Sequence, residues 1–176
     1  YTARSQVYAQ AFSHYGIHPQ HVVLFGEENA KQPGQVIDRQ IRGSLRDRFE
    51  TVTLQPRLDE PISVTCRNAG WNVQSFSTLD VNSPDIRRSL RQLDPTLVIY
   101  AGYGGQIIRE GVLHTADFLH AHAGHVPEQR GSTIIYYNIL ERACCPVSAI
   151  LLTPQIDAGP VVGRATYALP HSSVDV

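Results

Sequence analysis

Residues 119–132 read Leu-His-Ala-His-Ala-Gly-His-Val-Pro-Glu-Gln-Arg-Gly-Ser, and this stretch decides how the rest of the chain is interpreted. An apolar run at 118–122 predicts a strand, and the small residues that follow the stretch open a helix. His120 and His122 point to the same face of such a strand because side chains alternate along it. With His125, they leave three interpretations open: the imidazoles hold a metal, they move a proton, or they are solvated loop residues.

Predicted strands and helices alternate along the chain. Apolar runs predict strands at 21–26, 71–77, 97–100, 118–122, 147–152 and 160–169, and helical patterns cover 2–13, 61–68, 83–94, 107–113 and 131–142. The succession predicts an α/β fold with a Rossmann-like, mostly parallel sheet and an antiparallel strand pair near the C-terminus, with ligands at the carboxyl ends of the strands. The polar segment 27–57 is expected to be a solvated helix and loop. The alternative is that the arginines of this segment recognise a substrate. They are Arg39, Arg42, Arg46 and Arg48.

Composition narrows the class of protein. The 176 residues are 42% hydrophobic and carry a net charge of −1, which suits a single domain with a core over residues 1–176. The sequence has no stripe of basic residues that would indicate a long nucleic-acid partner. It also has no apolar run long enough to span a bilayer. Three cysteines with one adjacent pair do not make a disulfide framework, so we expect a reducing cytoplasm. Cys144 and Cys145 are expected to precede a strand as core or edge residues.

Two further features fall at predicted strand ends. Residues 102–105 read Gly-Tyr-Gly-Gly, which indicates close approach of the backbone to a ligand or to a packed neighbour. Asp157 stands two residues before Gly159. An Asp before such a glycine is typical of a turn, but beside a histidine it can also orient an imidazole or accept a proton through water.

The segment 97–169 resembles a known enzyme family on two runs of residues. One run is His120-Ala-His122, a short loop, then Val-Pro127-Glu-Gln-Arg130-Gly131; the other is an apolar strand followed by Asp157-Ala-Gly159. They match, in order and spacing, the Asn-x-His, Leu-Pro-x-x-Arg-Gly and Asp-x-Gly signature of the N10-formyltetrahydrofolate-dependent formyltransferases. That family includes the glycinamide ribonucleotide, methionyl-tRNA and sugar-amine formyltransferases. This chain has His120 where the family has Asn.

The resemblance implies a cytoplasmic enzyme that transfers a formyl group from 10-formyltetrahydrofolate to an amine of a small molecule, such as an amino sugar nucleotide or another biosynthetic amine. It implies His120, His122 and Asp157 as catalytic residues, with an imidazole stabilising an oxyanion and a carboxylate relaying a proton. Cofactor contacts are implied at Gly102, Tyr103, Gly104, Gln106, Ile107, Thr153 and Gln155. Acceptor contacts are implied at Arg130, Gly131 and Ser132, and His125 is expected to be a solvated loop residue.

The resemblance also leads to expectations about the ends of the chain and about alternative functions. Its members begin with a strand before the first helix and continue past the last strand pair, so we expect this chain to be truncated at both ends, with additional domains or a homodimer possible. One alternative function is a non-catalytic folate- or nucleotide-binding module. A second is a metal-dependent hydrolase that uses the three histidines, since imidazoles two residues apart on a strand can ligate zinc.

Overall fold

The computed structural model describes residues 1–27, 54 and 56–169. Its helices are α1 (Ala3–His14), α2 (Ile62–Asn68), α3 (Pro84–Leu93), α4 (Glu110–Leu113) and α5 (Ile134–Arg142). Its strands are β1 (Val22–Phe25), β2 (Val73–Phe76), β3 (Leu97–Ile99), β4 (Asp117–His122), β5 (Cys144–Leu151) and β6 (Val161–Ala168). The chain forms two compact units, one of Tyr1–Val81 with Ala101–Tyr103 and one of Asn82–Tyr100 with Gly104–Val176. The single domain expected over residues 1–176 stays a prediction.

In the first unit, β1 and β2 form a parallel pair beside α1 and α2. Helix α1 begins at Thr2, whose hydroxyl accepts from the backbone N–H of Ser5 and so satisfies one of the unpaired amides of the first turn. Gly16, two residues after the end of the helix, has φ +67°, a conformation that suits glycine. The apolar sides of both layers meet in a small core formed by Ala9, Leu24, Ile62 and Cys66.

The second unit is a four-stranded sheet in the order β3-β4-β5-β6. Strands β3 and β4 are parallel, whereas β4–β5 and β5–β6 are antiparallel. Helix α3 begins at Ser83, as its Ser-Pro-Asp start predicts. The core of the unit contains Ile86, Leu90, Val112, Phe118 and Ile150, each at most 5% exposed. The predicted α/β class, with parallel strands and an antiparallel pair near the C-terminus, is confirmed.

Three predicted boundaries are wrong by three residues: the starts of α4 and β5, and that of α5, which begins at Ile134 rather than at Gly131. Helix α4 begins at Glu110 rather than at Ile107, because the side chain of Asn82 donates to the carbonyl of Ile107 and accepts from the N–H of Arg109. These contacts hold residues 107–109 outside the helix.

The second wrong boundary is that of β5, which begins at Cys144 rather than Val147 because its pairing with β6 continues to Cys144 and Ala168. The two cysteines therefore lie in the strand instead of preceding it. Burial raises the pKa of the Cys145 thiol, and the neighbouring Cys144 adds to the effect.

Two expectations fall where the structure says little. Most of the segment 27–57, with all four of its arginines, lies outside the described residues. Within the described part of the chain, no helix is both long and apolar enough to cross a membrane.

Candidate active site

Strand β4 carries two of the three histidines of the opening stretch to its carboxyl end. His120 and His122 are two residues apart on the strand, so their Cα atoms are separated by about 6.8 Å on one face. His122 is 6% exposed, whereas His120 is partly buried. The predicted sharing of one face is consistent with this strand geometry, and it brings two imidazoles to one end of the sheet.

The imidazole of His122 lies between two hydrogen-bond acceptors. Its Nε2 is 2.8 Å from the main-chain carbonyl oxygen of Gln129, and its Nδ1 is 3.5 Å from Oδ1 of Asp157. A carbonyl oxygen only accepts, so Nε2 carries a proton. The neutral ring then turns a lone pair toward the carboxylate, and only the imidazolium presents an N–H to both neighbours. The geometry therefore places Nδ1 of His122 where it can share a proton with Asp157.

Asp157 reaches His122 from an unexpected direction. Because β5 runs antiparallel to β4, its carboxyl end lies beside Leu119 rather than beside His122. The turn after β5 returns along the sheet, and Asp157 adopts φ +49°, which Asp tolerates better than most residues. Its Oδ2 accepts from the N–H of Gly131 at 2.9 Å. The carboxylate thus joins the turn after β5, the loop after β4 and the buried imidazole.

Gly159 allows this turn to pass close to β5. A Cβ built at Gly159 would lie 1.7 Å from the carbonyl oxygen of Leu151, and the N–H of Leu151 donates to the carbonyl of Pro160. The third residue of the Asp-x-Gly motif is therefore a glycine for a steric reason, and it determines where Asp157 lies.

The loop between β4 and α5 is held by buried polar residues that sequence reasoning missed. Gln129 is 5% exposed; its Oε1 accepts from the N–H of His125, and its Nε2 donates to Oδ1 of Asn138 at 2.6 Å. Ser148 accepts from the N–H of Val126 at 3.1 Å. Asn138 and Ser148 are at most 1% exposed. The sequence signal that could have identified them is a polar residue at a position of a strand or helix that faces the core. Ser148 is such a case, because it stands among apolar residues of β5.

His120 and His125 have separate partners. Nδ1 of His120 is 3.3 Å from the carbonyl oxygen of Tyr100, so Nδ1 carries a proton and the neutral ring has its lone pair on Nε2. Nε2 of His125 is 3.3 Å from the carbonyl oxygen of Ala165 and 3.2 Å from Oγ1 of Thr166, both in β6. The expectation that His125 is a solvated loop residue is wrong, because its ring joins the loop to the last strand.

The predicted cofactor contacts are distributed between the two units. Gly102 and Tyr103 belong to the first unit, where the Tyr103 ring packs edge-on against Phe25 at 5.7 Å. Burial raises the pKa of Tyr103, with Tyr1 and Glu27 adding to it. The others belong to the second unit. They are Gly104, Gln106, Ile107, Thr153 and Gln155.

Within the second unit, several of these positions suit a flat, partly apolar ligand. Built Cβ atoms at Gly104 and Gly105 meet nothing within 4 Å, so the backbone there is open to close approach. Ile107 is 53% exposed, and Oε1 of Gln106 accepts from the hydroxyl of Tyr100. Thr153 donates to the carbonyl of Gln155 within the turn that leads to Asp157.

The predicted acceptor contacts follow the loop directly. Arg130 and Ser132 are exposed, and the N–H of Gly131 is bound by Asp157. A metal site is not formed: among the residues that the structure describes, no three His, Cys, Asp or Glu side chains are arranged to hold a metal ion. The imidazoles of His120, His122 and His125 instead bind three different carbonyl groups. The three histidines therefore do not form the ligand cluster that the metal-hydrolase alternative requires.

Comparison of the sequence with known proteins finds methionyl-tRNA formyltransferases among its relatives. No family model matches the sequence. The methionyl-tRNA formyltransferase of Helicobacter acinonychis is 28% identical over 97 residues, which cover 54% of this chain and 31% of the relative. That of Chloroflexus aggregans is 31% identical over 116 residues, which cover 64% of this chain and 37% of the relative. The matches thus span about a third of the length of these curated relatives.

Solved structures agree on the fold. The phosphoribosylglycinamide formyltransferase of Bacillus halodurans has a TM-score of 0.54 at 13% identity and covers 88% of this chain and 82% of its own. The enzyme of that name from Streptococcus pneumoniae has a TM-score of 0.54 at 16% identity, with coverages of 90% and 86%. The relatives in sequence and the neighbours in fold both carry formyltransferase names, and this chain resembles the former over more than half of its length and the latter over most of it.

Proposed function

We propose that this protein transfers a formyl group from 10-formyltetrahydrofolate to an amine of a small molecule. The observation that carries the proposal is the contact between buried His122 and Asp157, at 3.5 Å, on the two motifs that the formyltransferases share. When bound, the folate supplies a formyl carbon on N10 and receives a proton there. The chain must then assist loss of a proton from the attacking amine and stabilise negative charge on the formyl oxygen.

We assign that stabilisation to both imidazoles, in different ways. The nitrogens of His122 already face the carbonyl of Gln129 and the carboxylate of Asp157, so its ring acts through its electric field rather than by a direct hydrogen bond. His120, whose Nδ1 donates to the carbonyl of Tyr100, is assigned the contact with the formyl oxygen. Such groups act most strongly when they are oriented before the reaction. Asp157 orients His122 and relays the amine proton through water.

The acceptor is proposed to be an acidic small molecule. Arg130 is exposed in the loop that leads to Gly131, and a guanidinium suits bidentate contact with a carboxylate or phosphate. The name of the methionyl-tRNA formyltransferases suggests an aminoacyl-tRNA as the alternative acceptor. A net charge of −1, however, gives little attraction for a polyanion. Cys66, Cys144 and Cys145 form no disulfide within the described part of the chain, which suits the reducing cytoplasm that the proposal implies.

The test is formyl transfer by the full chain to a panel of amines, with the formylated product measured by mass spectrometry. The panel contains amino sugar nucleotides, amino acids and aminoacyl-tRNA. We expect product with an acidic small amine and loss of product in His122→Ala and Asp157→Ala. The matched controls are His114→Ala and Asp85→Asn, which change exposed residues outside the site. Folate binding without transfer to any amine would instead support the non-catalytic binding module.

A further inference from the structure

We infer that Gln129 is a positioning residue for His122. Gln129 determines which nitrogen of the imidazole, Nε2, always carries a proton. The inference deepens the proposed function and rests on it for its catalytic meaning. Its structural content, the protonation pattern of one buried ring, is independent of any substrate. Gln129 lies in the loop after β4 and makes two kinds of contact, one through its main chain and one through its side chain.

The main-chain contact is with the ring itself. The carbonyl oxygen of Gln129 is 2.8 Å from Nε2 of His122, an ordinary length for a strong N–H···O bond. Because a main-chain carbonyl cannot be protonated, this contact excludes the tautomer with a bare Nε2. The other nitrogen, Nδ1, is thereby left to face Asp157.

The side-chain contacts hold that carbonyl in place. Oε1 of Gln129 accepts from the N–H of His125 at 2.8 Å, and Nε2 of Gln129 donates to Oδ1 of Asn138 at 2.6 Å. Asn138 is 1% exposed and belongs to α5. The amide thus anchors residue 129 to a helix of the core, and an unpartnered amide at this depth would be costly.

Gly124 adds a steric condition. A Cβ built at Gly124 would lie 2.8 Å from the carbonyl oxygen of Gln129 and 3.1 Å from its Cβ. Residue 124 therefore leaves the space that the carbonyl occupies while it binds His122. Any side chain at position 124 would therefore have to displace this carbonyl or itself.

The consequence concerns the pair formed with Asp157. With Nε2–H bound to Gln129, a neutral His122 would aim a lone pair at a carboxylate 3.5 Å away. A proton on Nδ1 removes that repulsion and gives each charged group a partner. Gln129 therefore acts by directing Nδ1 of His122 to Asp157, where ring and carboxylate can share a proton.

The experiment measures the imidazole protons of His122 by ¹⁵N-edited NMR in the full chain without ligand. We expect a slowly exchanging Nε2–H signal in the wild type. Asn138→Leu removes the acceptor of the Gln129 amide and should abolish the slow exchange, whereas Asn138→Asp keeps an acceptor oxygen and should preserve it. Ser148→Ala is the matched control, because it removes a different buried anchor of the same loop, at Val126.

Formyl transfer gives the second readout. Asn138→Leu should lower kcat on the order of tenfold or more, with KM for the amine unchanged, because misorientation affects the reacting geometry rather than acceptor binding. Asn138→Asp should restore kcat. If Asn138→Leu does not fold, Gln129→Ala in the loop replaces it, since that change removes the amide and keeps the carbonyl.

The inference is overturned by an unchanged Nε2–H signal in Asn138→Leu or Gln129→Ala, by loss of the signal in Asn138→Asp, or by equal loss in Ser148→Ala. Absence of formyl transfer in a wild type that shows the predicted NMR signal would contradict the proposed function and leave the positioning role intact. The two failures are therefore distinguishable.

Discussion

Oδ1 of Asp157 lies 3.5 Å from Nδ1 of His122, although the strand that precedes Asp157 ends beside Leu119. Three residues of strand, about 10 Å, separate Leu119 from His122. The turn after β5 covers that distance and ends in a bond from the N–H of Gly131 to the same carboxylate. One carboxylate thus connects both motifs of the family signature.

Replacement of Asp157 by Asn should leave the fold intact and nearly abolish formyl transfer. The amide keeps the size of the side chain but not its charge, and it can donate to Nδ1, which allows a neutral His122. We expect kcat to fall on the order of 10²-fold to 10⁴-fold, the usual contribution of a positioned acid–base group. Steady-state kinetics check this, with Asp85→Asn as the control. Activity within a factor of two of the wild type would remove Asp157 from the mechanism.

Replacement of Gly159 by Ala should destabilise the turn. The new Cβ would lie 1.7 Å from the carbonyl oxygen of Leu151, so the backbone must shift at a cost of about 1–3 kcal/mol or more. Denaturant unfolding measures the loss. Gly163→Ala is the control, since a Cβ built there meets nothing within 4 Å. Equal stability of the two variants would contradict the steric role given to Gly159.

His120→Asn should preserve formyl transfer, whereas His120→Ala should lower it. The Asn amide can donate a hydrogen bond to the formyl oxygen in place of the imidazole, and the Ala methyl group cannot. Steady-state kinetics of the two variants check this. Wild-type activity in His120→Ala would exclude His120 from contact with the formyl oxygen.

Unfolding at alkaline pH should report the ionisation of the partly buried Tyr8. Burial raises the pKa of Tyr8, and the neighbouring Arg4 opposes the shift. Above pH 10 the unfolded chain therefore ionises this phenol more readily than the folded chain does, and the free energy of unfolding falls as pH rises through the folded-state pKa. Tyr8→Phe should reduce that fall. Tyr15→Phe, at an exposed position, should not, and an equal effect of both would contradict the assignment.

A folate should raise the apparent stability of the protein, and zinc should not. Binding to the native state raises the melting temperature in proportion to the logarithm of ligand concentration over Kd. A thermal-shift titration with tetrahydrofolate and with zinc separates the two. Stoichiometric zinc, lost in His120→Ala, would restore the metal-hydrolase alternative.

Local signals predicted the elements and the two motifs, and they failed where distant residues decide. Ser83 and Pro84 predict the start of α3, because the capping of a helix depends on residues within one turn. The start of α4 depends on Asn82, which binds the backbone of residues 107 and 109 from 25 or more positions away. No periodicity in residues 107–113 contains that information.

The candidate site divides in the same way. His122 and Asp157 are visible as motif residues, but their contact depends on a turn that runs back along an antiparallel pair. Gln129 and Asn138 are nine residues apart and fall in a loop and a helix, where a Gln and an Asn are expected to be solvated. Their burial arises only when α5 packs against β5, so their part in holding His122 is a property of the fold.

The central claim is tested most directly with 10-formyltetrahydrofolate labelled with ¹³C in its formyl group and a cell extract as the source of amines. After incubation with the full chain, mass spectrometry searches the extract for labelled formamides. The account predicts label on a small acidic amine with wild-type protein and His114→Ala, and none with His122→Ala. No labelled amine with folded wild-type protein, or equal labelling with His122→Ala, would contradict it.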